Sequence, residues 1–337
     1  MGGSIFSKEG IQARRIDSEE FNDISFEICA NVLGSIFKKC NVVKSYQKKI
    51  SHGDVDFLVS EPRDTYNNWK EQIINHYYIK QFSTHSASNG DEVSILFRGV
   101  QCDFRIIKPS FWDSSVFFCN YDPSSNALGR IARWLGVRFG YRGLVYPVYT
   151  ENRQAKLDEI IISSNSVSIC EFFGLNYNDN FVEKEDIFNY IVSNKFYGID
   201  CFKEENWDNA TRTRNRKRKV FCEFIEWVHK YHDYNKIDFL TKDNVNEYIP
   251  MFEKFFSINL TDQINSSREK FKLNKELSNK FNGKTVMDLT GLTGKELGNV
   301  LGRYKKSKEI WVDTWHNFLL NNSAEEIKKD FLQFYAK

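Results

Sequence analysis

The chain has 337 residues, with 47 lysines and arginines, 45 aspartates and glutamates, and a formal net charge of +2 at pH 7. This length allows two or three modules, and a balanced charge does not by itself indicate a nucleic-acid-binding protein. No apolar run approaches the roughly 20 residues of a membrane-spanning helix, and the first residues lack a secretory signal pattern. We therefore expect a cytoplasmic protein without a membrane partner.

The seven cysteines are scattered singly, and none forms a Cys-x-x-Cys pair. Such a distribution supports neither a zinc knuckle nor a disulfide framework. We interpret the cysteines as reduced thiols, in agreement with an intracellular protein.

The first third of the chain mixes helix and strand patterns. Apolar residues at helical spacing predict a helix from Ser18 to about Lys39. An amphipathic stretch from Tyr66 to Tyr78 predicts a second helix, and Arg98-Gly99 is typical of a hairpin turn. Four short apolar runs predict strands, and they lie at 42–43, 55–59, 93–97 and 100–107. This order predicts an α+β fold with a small mixed sheet and helices on one side.

The patterns weaken further along the chain. Beyond Pro109 a helical pattern, interrupted at Asp122-Pro123, runs to about Leu135, and a strand is predicted over Gly143–Val148. The stretch that follows contains one clear helix, near Glu185–Ser193. From Arg216 onward only helices are predicted, so we expect domain boundaries near 150 and 210.

The most informative feature is a set of three carboxylates on predicted strands. Asp54 and Asp56 point to the same face because side chains in a strand alternate with period two. Gly53 before them lets backbone approach a phosphate, and Asp103 lies on a later apolar strand. Oxygen ligands on adjacent strands suit two Mg²⁺ ions, with Mn²⁺ as an alternative ion.

An isolated Asp-x-Asp pair is more often the exposed start of an edge strand than a metal site. Here the segment Lys44–Lys49 lies just upstream and offers hydroxyls and cations that suit a triphosphate. This context favours the metal-site interpretation.

These residues resemble the DNA polymerase β superfamily, specifically the palm of the family X polymerases. That palm carries Gly-Ser, a basic pair, Gly-Asp-x-Asp and a third Asp followed by x-Arg. The matching residues are Ser45, Lys48 or Lys49, Gly53, Asp54, Asp56, Asp103 and Arg105. The resemblance implies that the three aspartates are the catalytic metal ligands, that Ser45, a lysine and Gly53 bind the triphosphate, and that Arg105 tunes the carboxylate cluster.

The resemblance extends over roughly residues 18 to 195, through a thumb-like segment. Phe118 belongs to an aromatic segment at the position where the family discriminates the sugar. Asn126 matches the residue that reads the incoming nucleotide, and Arg130 matches an arginine that contacts the templating strand. Lys44 departs from the glycine of the family, and Phe118-Cys119 departs from its Tyr-Phe pair.

A cluster of six cations in eight positions follows the thumb-like segment. Its members are Arg212, Arg214, Arg216, Lys217, Arg218 and Lys219. Such a cluster can neutralise several backbone phosphates of a nucleic acid. A solvated helix start is an equally good interpretation.

Glycines flank an apolar helix in the segment 282–301, at Gly291, Gly294 and Gly298. This segment resembles the carboxy-terminal part of tRNA CCA-adding enzymes, which belong to the same superfamily. Ordinary helix packing explains the glycines equally well, but the resemblance keeps an RNA primer among the alternatives.

Together, these features predict three segments. Residues 1–150 hold a nucleotidyltransferase palm and the start of a thumb, 151–210 a thumb-like segment, and 211–337 a helical nucleic-acid-binding domain. The expected reaction is attack of a DNA or RNA primer 3′-hydroxyl on a nucleoside triphosphate, as in a DNA polymerase of repair type. The alternatives are a tRNA 3′-end nucleotidyltransferase and a non-catalytic nucleic-acid-binding module. The oligomeric state is left open.

Overall fold

The computed structural model describes residues 5–64, 66–178, 180–238, 245–309 and 314–336. It divides into two compact units, one of residues 1–147 with 159–260 and one of residues 148–158 with 261–337. This grouping differs from the expected boundaries near 150 and 210, because residues 159–260 pack with the amino-terminal part. Local sequence patterns show where helices begin and end, but not which core a helix joins.

Eight strands are present in the described residues. They are β1 Phe37–Val42, β2 Asp54–Pro62, β3 Ser83–Asn89, β4 Glu92–Phe97, β5 Val100–Ile106, β6 Arg138–Gly140, β7 Gly143–Tyr149 and β8 Lys156–Ser163. The first five form one sheet in the order β1-β2-β5-β4-β3, and the last three form a second sheet in the order β6-β7-β8.

The described residues up to Ser193 contain eight α-helices. They are α1 Ser18–Ile28, α2 Gly34–Ile36, α3 Trp69–Asn75, α4 Tyr77–Phe82, α5 Trp112–Cys119, α6 Ser124–Trp134, α7 Ser166–Phe172 and α8 Lys184–Ser193. The helices that follow are α9 Asn209–Asn215, α10 Lys219–Tyr231, α11 Ile249–Phe256, α12 Leu260–Lys280, α13 Gly283–Thr290, α14 Gly294–Lys308, α15 Trp315–Asn321 and α16 Ala324–Tyr335. The described residues from Arg216 onward contain no strand, as predicted.

The five-stranded sheet is mixed, and the α+β prediction is confirmed. Strands β2 and β5 run parallel, and the other neighbouring pairs are antiparallel. The hairpin between β4 and β5 turns at Arg98 and Gly99, whose φ values of 50° and 80° are both positive. Positive φ at both central residues is what a two-residue hairpin turn of type I′ requires.

One face of this sheet forms the main apolar core. Its buried strand residues are Val55, Phe57, Val59, Val93, Ile95, Phe97, Val100, Cys102, Phe104 and Ile106. Helical residues cover them, namely Ile24, Ile28, Val32, Leu33, Ile36, Trp69, Ile73 and Ile79. Because side chains alternate along a strand, the residues between these apolar positions point to the opposite face.

The first predicted helix is correct at its start and wrong at its end. Asp17 caps α1 by accepting a hydrogen bond from the Glu20 amide at 2.9 Å. The helical conformation continues through a π-helical turn, Cys29–Leu33, and ends at Ile36 rather than near Lys39. From Phe37 the chain instead pairs with β2, starting with Phe37 opposite Pro62. Strand pairing therefore overrides the local helical pattern.

Three strands, β3, β6 and β8, escaped prediction, and the two longer ones show why. β3 has the polar sequence STHSASN and lies at the edge of its sheet. β8 begins with the charged stretch Lys-Leu-Asp-Glu, so its later isoleucines alone were too short a run to predict a strand. Neither strand has the regular apolar alternation that marks a half-buried strand.

The second compact unit has a core of its own. Its buried residues are Leu277, Phe281, Val286, Val300, Tyr304, Leu319, Ile327 and Phe331. Asn282 caps α13, and that helix ends at Gly291, which has a φ of 72°. Gly291 therefore serves as the left-handed residue that commonly ends a helix.

Candidate functional site

Asp54, Asp56 and Asp103 come together on the face of the sheet opposite the main core. Asp54 and Asp56 lie at the start of β2, and the parallel pairing with β5 places Asp103 directly beside Asp56. One ligand oxygen from each carboxylate lies within 4.8 Å of the other two. A divalent cation needs oxygens at this spacing, since carboxylates are the preferred ligands of Mg²⁺.

Asp103 is held on one side only. The Gln101 side-chain amide donates to Asp103 Oδ2 at 2.7 Å, whereas Asp103 Oδ1 is buried and has no hydrogen-bond partner in the structure. Burial raises the pKa of Asp103 to about 6, although the Ser94 and Gln101 side chains act in the opposite direction. An unpartnered buried oxygen costs free energy, and a bound cation would remove that cost.

The charged form of Asp56 is likewise destabilised by its surroundings. Burial raises its pKa well above the ordinary value, and the negative charges of Asp54 and Asp103 raise it further. Asp56 as a whole residue nevertheless keeps solvent exposure, so its carboxylate is crowded by protein yet accessible from outside. The three carboxylates repel one another, and a bound metal ion would offset this repulsion.

The loop before β2 brings one lysine to these carboxylates. Burial lowers the pKa of Lys49, while the charges of Asp54, Asp122 and Asp56 raise it, so these acids lie within electrostatic range of its amine. Lys48 instead forms an ion pair with Glu183. The structure thus favours Lys49 over Lys48 as the cation of the site.

Gly53 and Ser45 are the other predicted residues of this loop. Gly53 is buried directly before Asp54, and Ser45 is half-buried at the start of the loop. The amide next to Ser45, that of Lys44, donates to Asn120 Oδ1 at 2.9 Å, and the Tyr121 amide donates to the Lys44 carbonyl at 2.9 Å. The loop is therefore fixed to the end of α5.

Arg105 shares the face of Asp103 but binds elsewhere. Its guanidinium forms an ion pair with Glu92 and lies 4.3 Å from the ring centroid of Tyr141. The Phe118 ring lies 5.0 Å from that of Tyr141. In the described contacts, Arg105 and Phe118 thus reach the site through Glu92 and Tyr141, rather than by direct bonds to the aspartates.

Three further residues lie near the carboxylates, and the sequence analysis assigned none of them a role of its own. Glu92 raises the pKa of both Asp56 and Asp103, and Tyr141 makes the cation–π contact with Arg105 and the tilted ring contact with Phe118. Burial, and then the charge of Asp56, raises the pKa of Cys119 to about 12. Only the folded chain brings these residues close, and for Glu92 the sequence offers no signal at all.

Arg15 is a further cation near the site, and its position beside the predicted helix start was the only signal for it. Its Nε donates to Ser51 Oγ at 3.0 Å and its Nη2 donates to the Ser51 carbonyl at 3.2 Å. Its charge also lowers the pKa of Lys49. Arg15 and Lys49 therefore place two positive charges on the loop that precedes Asp54.

Asn126 and Arg130 face the interior instead of an open surface. The Asn126 amide donates to Asn215 Oδ1 at 3.2 Å, and Arg214 donates to Asn126 Oδ1 at 3.4 Å. Arg130 is only 5% exposed, and burial lowers its pKa to about 10. The structure does not bring either residue to the carboxylates.

The basic cluster lies in the first compact unit and not in the second, contrary to the expected boundary at 210. Arg212 and Arg214 form the last turn of α9, and Arg216 pairs with Glu204 at 2.8 Å. Arg218 lies 3.7 Å from Asp122, the same acid that acts on Lys49. The exposed residues of the cluster are Arg214, Arg216, Lys217 and Lys219. The cluster therefore continues the positive charge of the site along α9 and the start of α10.

Comparisons with protein-family models and with curated proteins gave no match for this sequence. Within the ranges that the structure describes, no helix combines the length and apolar character needed to cross a membrane.

Proposed function

We propose that this chain is a metal-dependent nucleotidyltransferase that adds nucleotides from nucleoside triphosphates to a nucleic-acid 3′-hydroxyl. The observation that carries the proposal is the carboxylate trio, with its oxygens within 4.8 Å and Asp103 Oδ1 buried without a partner. The resemblance to the DNA polymerase β superfamily makes a repair-type DNA polymerase the leading form of this activity.

Asp54, Asp56 and Asp103 would hold two Mg²⁺ ions or, alternatively, Mn²⁺. Bound there, the ions would lower the pKa of an attacking hydroxyl and neutralise charge on the phosphates. Asp103 is our candidate for assisting deprotonation of the primer hydroxyl, with Asp54 and Asp56 as the other metal ligands.

The cations around the trio support a polyanionic substrate. Lys49 lies on the loop where the triphosphate would bind, as do Ser45 and Gly53, and Arg15 binds this loop at Ser51. The basic cluster from Arg212 to Lys219 lies beyond Asp122 and suits the backbone of a primer or template strand. In phosphoryl transfer, positioning and charge neutralisation of this kind supply most of the acceleration.

A non-catalytic nucleic-acid-binding module explains the basic cluster but not the acids. A module without metal would gain stability by losing one of these carboxylates, since the pKa values of Asp56 and Asp103 are raised by burial and mutual repulsion. A tRNA 3′-end nucleotidyltransferase uses the same chemistry, so the choice of primer separates it from a DNA polymerase.

The deciding experiment is extension of labelled DNA and RNA primers, single-stranded or gapped, with Mg²⁺ or Mn²⁺ and each dNTP or NTP. Asp54→Asn and Asp56→Asn should each reduce the rate by at least about 1,000-fold, because each removes a ligand that neutralises transition-state charge. Glu71→Gln, an exposed acid on α3, is the matched control and should extend primers at the rate of the original chain.

The outcomes separate the candidates. Template-directed dNTP addition that is lost in the aspartate variants supports the polymerase. Addition of CTP and ATP to RNA ends alone supports tRNA 3′-end synthesis. Absence of extension on every substrate, or equal activity in the Asp54→Asn variant, contradicts the proposal.

The basic cluster can be tested separately by nucleic-acid binding. Replacing both Lys217 and Lys219 with alanine should weaken binding to a labelled primer by about tenfold and should reduce its salt dependence, because fewer counterions are released. Lys38→Ala with Lys80→Ala, two exposed lysines outside the cluster, is the control. Equal affinity and salt slope in the two double variants would show that the cluster is only a solvated surface.

A further inference from the structure

A short chain of hydrogen bonds connects the amino-terminal segment to the carboxylate trio. The Ile5 amide donates to Gln101 Oε1 at 3.0 Å, and Gln101 Nε2 donates to Asp103 Oδ2 at 2.7 Å. Gln101 is only 5% exposed, so water has little access to its amide. Gln101 therefore joins a backbone amide near the start of the chain to one of the three metal-ligand candidates.

The Ile5 amide fixes which way the Gln101 side chain points. A carboxamide has one acceptor end and one donor end, and the Ile5 N–H can be satisfied only by the oxygen. The nitrogen must then face Asp103, where it can donate to a carboxylate oxygen. The opposite orientation would set two donors against each other at Ile5 and two acceptors against each other at Asp103.

The same contact fixes the Asp103 carboxylate. Because Oδ2 accepts from Gln101, rotation of the carboxylate would break a buried hydrogen bond. Oδ1 is the oxygen left without a partner, and it is buried. The arrangement thus reserves one oxygen of Asp103 for a ligand.

Apolar packing keeps Ile5 in place. Phe6 is fully buried and packs with Ala13 and with Leu96, which lies opposite Gln101 in the pairing of β4 with β5. The Arg14 amide also donates to the Gly99 carbonyl at 2.9 Å. The segment from residue 5 to residue 14, here called the amino-terminal strap, is therefore attached to the sheet beside Gln101.

We propose that Gln101 is a positioning residue of the metal site and that the amino-terminal strap sets its orientation through the Ile5 amide. This inference rests on the proposed function only in that Asp103 binds a metal ion. Partners of metal ligands commonly change metal affinity by about 10–100-fold when they are removed. The strap thereby acts on the site without contacting the metal.

The first test is Mn²⁺ affinity of the full chain, measured from the electron paramagnetic resonance signal of free Mn²⁺. Gln101→Met keeps the length of the side chain but removes both hydrogen bonds, and it should weaken binding by about 10–100-fold. Ser60→Ala is the matched control, since Ser60 is fully buried in β2 and donates to the Ile107 carbonyl at 2.7 Å. The control should lose a similar buried hydrogen bond without loss of Mn²⁺ affinity.

The second test leaves Gln101 intact. Ile5→Pro removes the backbone donor, and proline is tolerated there because Ile5 is the first residue of the 3₁₀-helix Ile5–Glu9. Ile5→Ala keeps that donor and makes the same loss of an exposed apolar side chain. We expect Ile5→Pro to bind Mn²⁺ several-fold more weakly than Ile5→Ala.

Two results would overturn the inference while leaving the metal site intact. One is Mn²⁺ binding by Gln101→Met within twofold of Ser60→Ala, and the other is equal affinity of Ile5→Pro and Ile5→Ala. If the unsubstituted chain binds Mn²⁺ no better than Asp103→Asn, the proposed metal site fails, and the role of Gln101 fails with it. Should Gln101→Met not fold, the proline and alanine pair still decides the question.

Discussion

The two faces of the five-stranded sheet are built from alternate residues of the same strands, yet they have opposite effects on the stability of the fold. On one face, Phe57 and Phe104 stack at 5.0 Å in a buried apolar core. On the other face, Asp56 and Asp103 are crowded by protein and by each other. The first face contributes stability, whereas the second lowers stability to hold a chemically useful cluster. Substitutions on the two faces should therefore change stability in opposite directions.

The largest effect is expected on the apolar face. Phe104→Ala removes a fully buried ring from the stack with Phe57, and it should lower the free energy of unfolding by about 3–5 kcal/mol. Urea denaturation followed by circular dichroism would measure the loss. Phe271→Ala, at a side chain 40% exposed on α12, is the control and should cost less than about 1 kcal/mol. A loss at Phe104 as small as that control would contradict this view of the core.

On the acidic face, the change should stabilise. Asp103→Asn removes a charge that burial disfavours, so at pH 8 without metal it should raise the free energy of unfolding by about 1–2 kcal/mol. The same variant should lose the rise in melting temperature that Mn²⁺ gives the unsubstituted chain. Thermal melts with and without Mn²⁺ would test both parts. A metal-free variant less stable than the unsubstituted chain would show that the carboxylate serves the fold.

The stabilising effect of Asp103→Asn should depend on pH. A folded-state pKa of about 6, above the ordinary value, means that the folded chain binds more protons than the unfolded chain. This contribution of Asp103 to stability is present near pH 4 and is lost as the pH rises through 6. His52 acts oppositely in the same window, because burial lowers its pKa to about 4. His52 is present in both the unsubstituted chain and Asp103→Asn. Subtracting their free energies of unfolding at each pH therefore removes the contribution of His52.

Denaturation at several pH values would therefore give a simple curve. The advantage of Asp103→Asn should be smallest near pH 4 and should grow up to about pH 7. An advantage that stays constant across this range would show that Asp103 does not titrate as its surroundings indicate.

The smallest effect is expected at the rim of the acidic face. Glu92 pairs with Arg105, and Glu92→Gln should change the free energy of unfolding by less than about 0.5 kcal/mol, since partly exposed ion pairs contribute little. Because Glu92 raises the pKa of Asp103, this variant should move the curve for Asp103 to lower pH. Glu61→Gln, which removes an ion pair with Lys39 at the far end of β2, should leave the curve in place.

Much of the first sheet could be predicted from local patterns. The apolar runs of β2, β4 and β5 and the turn at Arg98-Gly99 have clear signals, because one face of each strand is buried. The polar edge strand β3 has none, since its side chains contribute little to the core. The end of the first helix was also out of reach, because it depends on the pairing of β1 with β2.

Among the candidate site residues, local patterns worked best for the acids. Alternation along a strand was enough to place Asp54 and Asp56 on one face. It did not distinguish Lys48 from Lys49, since that choice depends on Glu183, far away in the sequence. Nor did it show that Arg130 is buried against Trp207, with its guanidinium 5.1 Å from the ring centroid.

The sequence by itself determined the spacing of the acids, the apolar runs around them and the cluster of cations after α8. The tertiary structure decided which of these residues meet. Parallel pairing of β2 with β5 set Asp103 beside Asp56, and docking of the amino-terminal strap set Gln101 against Asp103. The reason is physical: periodicity reports which face a residue occupies, whereas neighbours across a sheet are chosen by the burial and hydrogen bonding of distant segments.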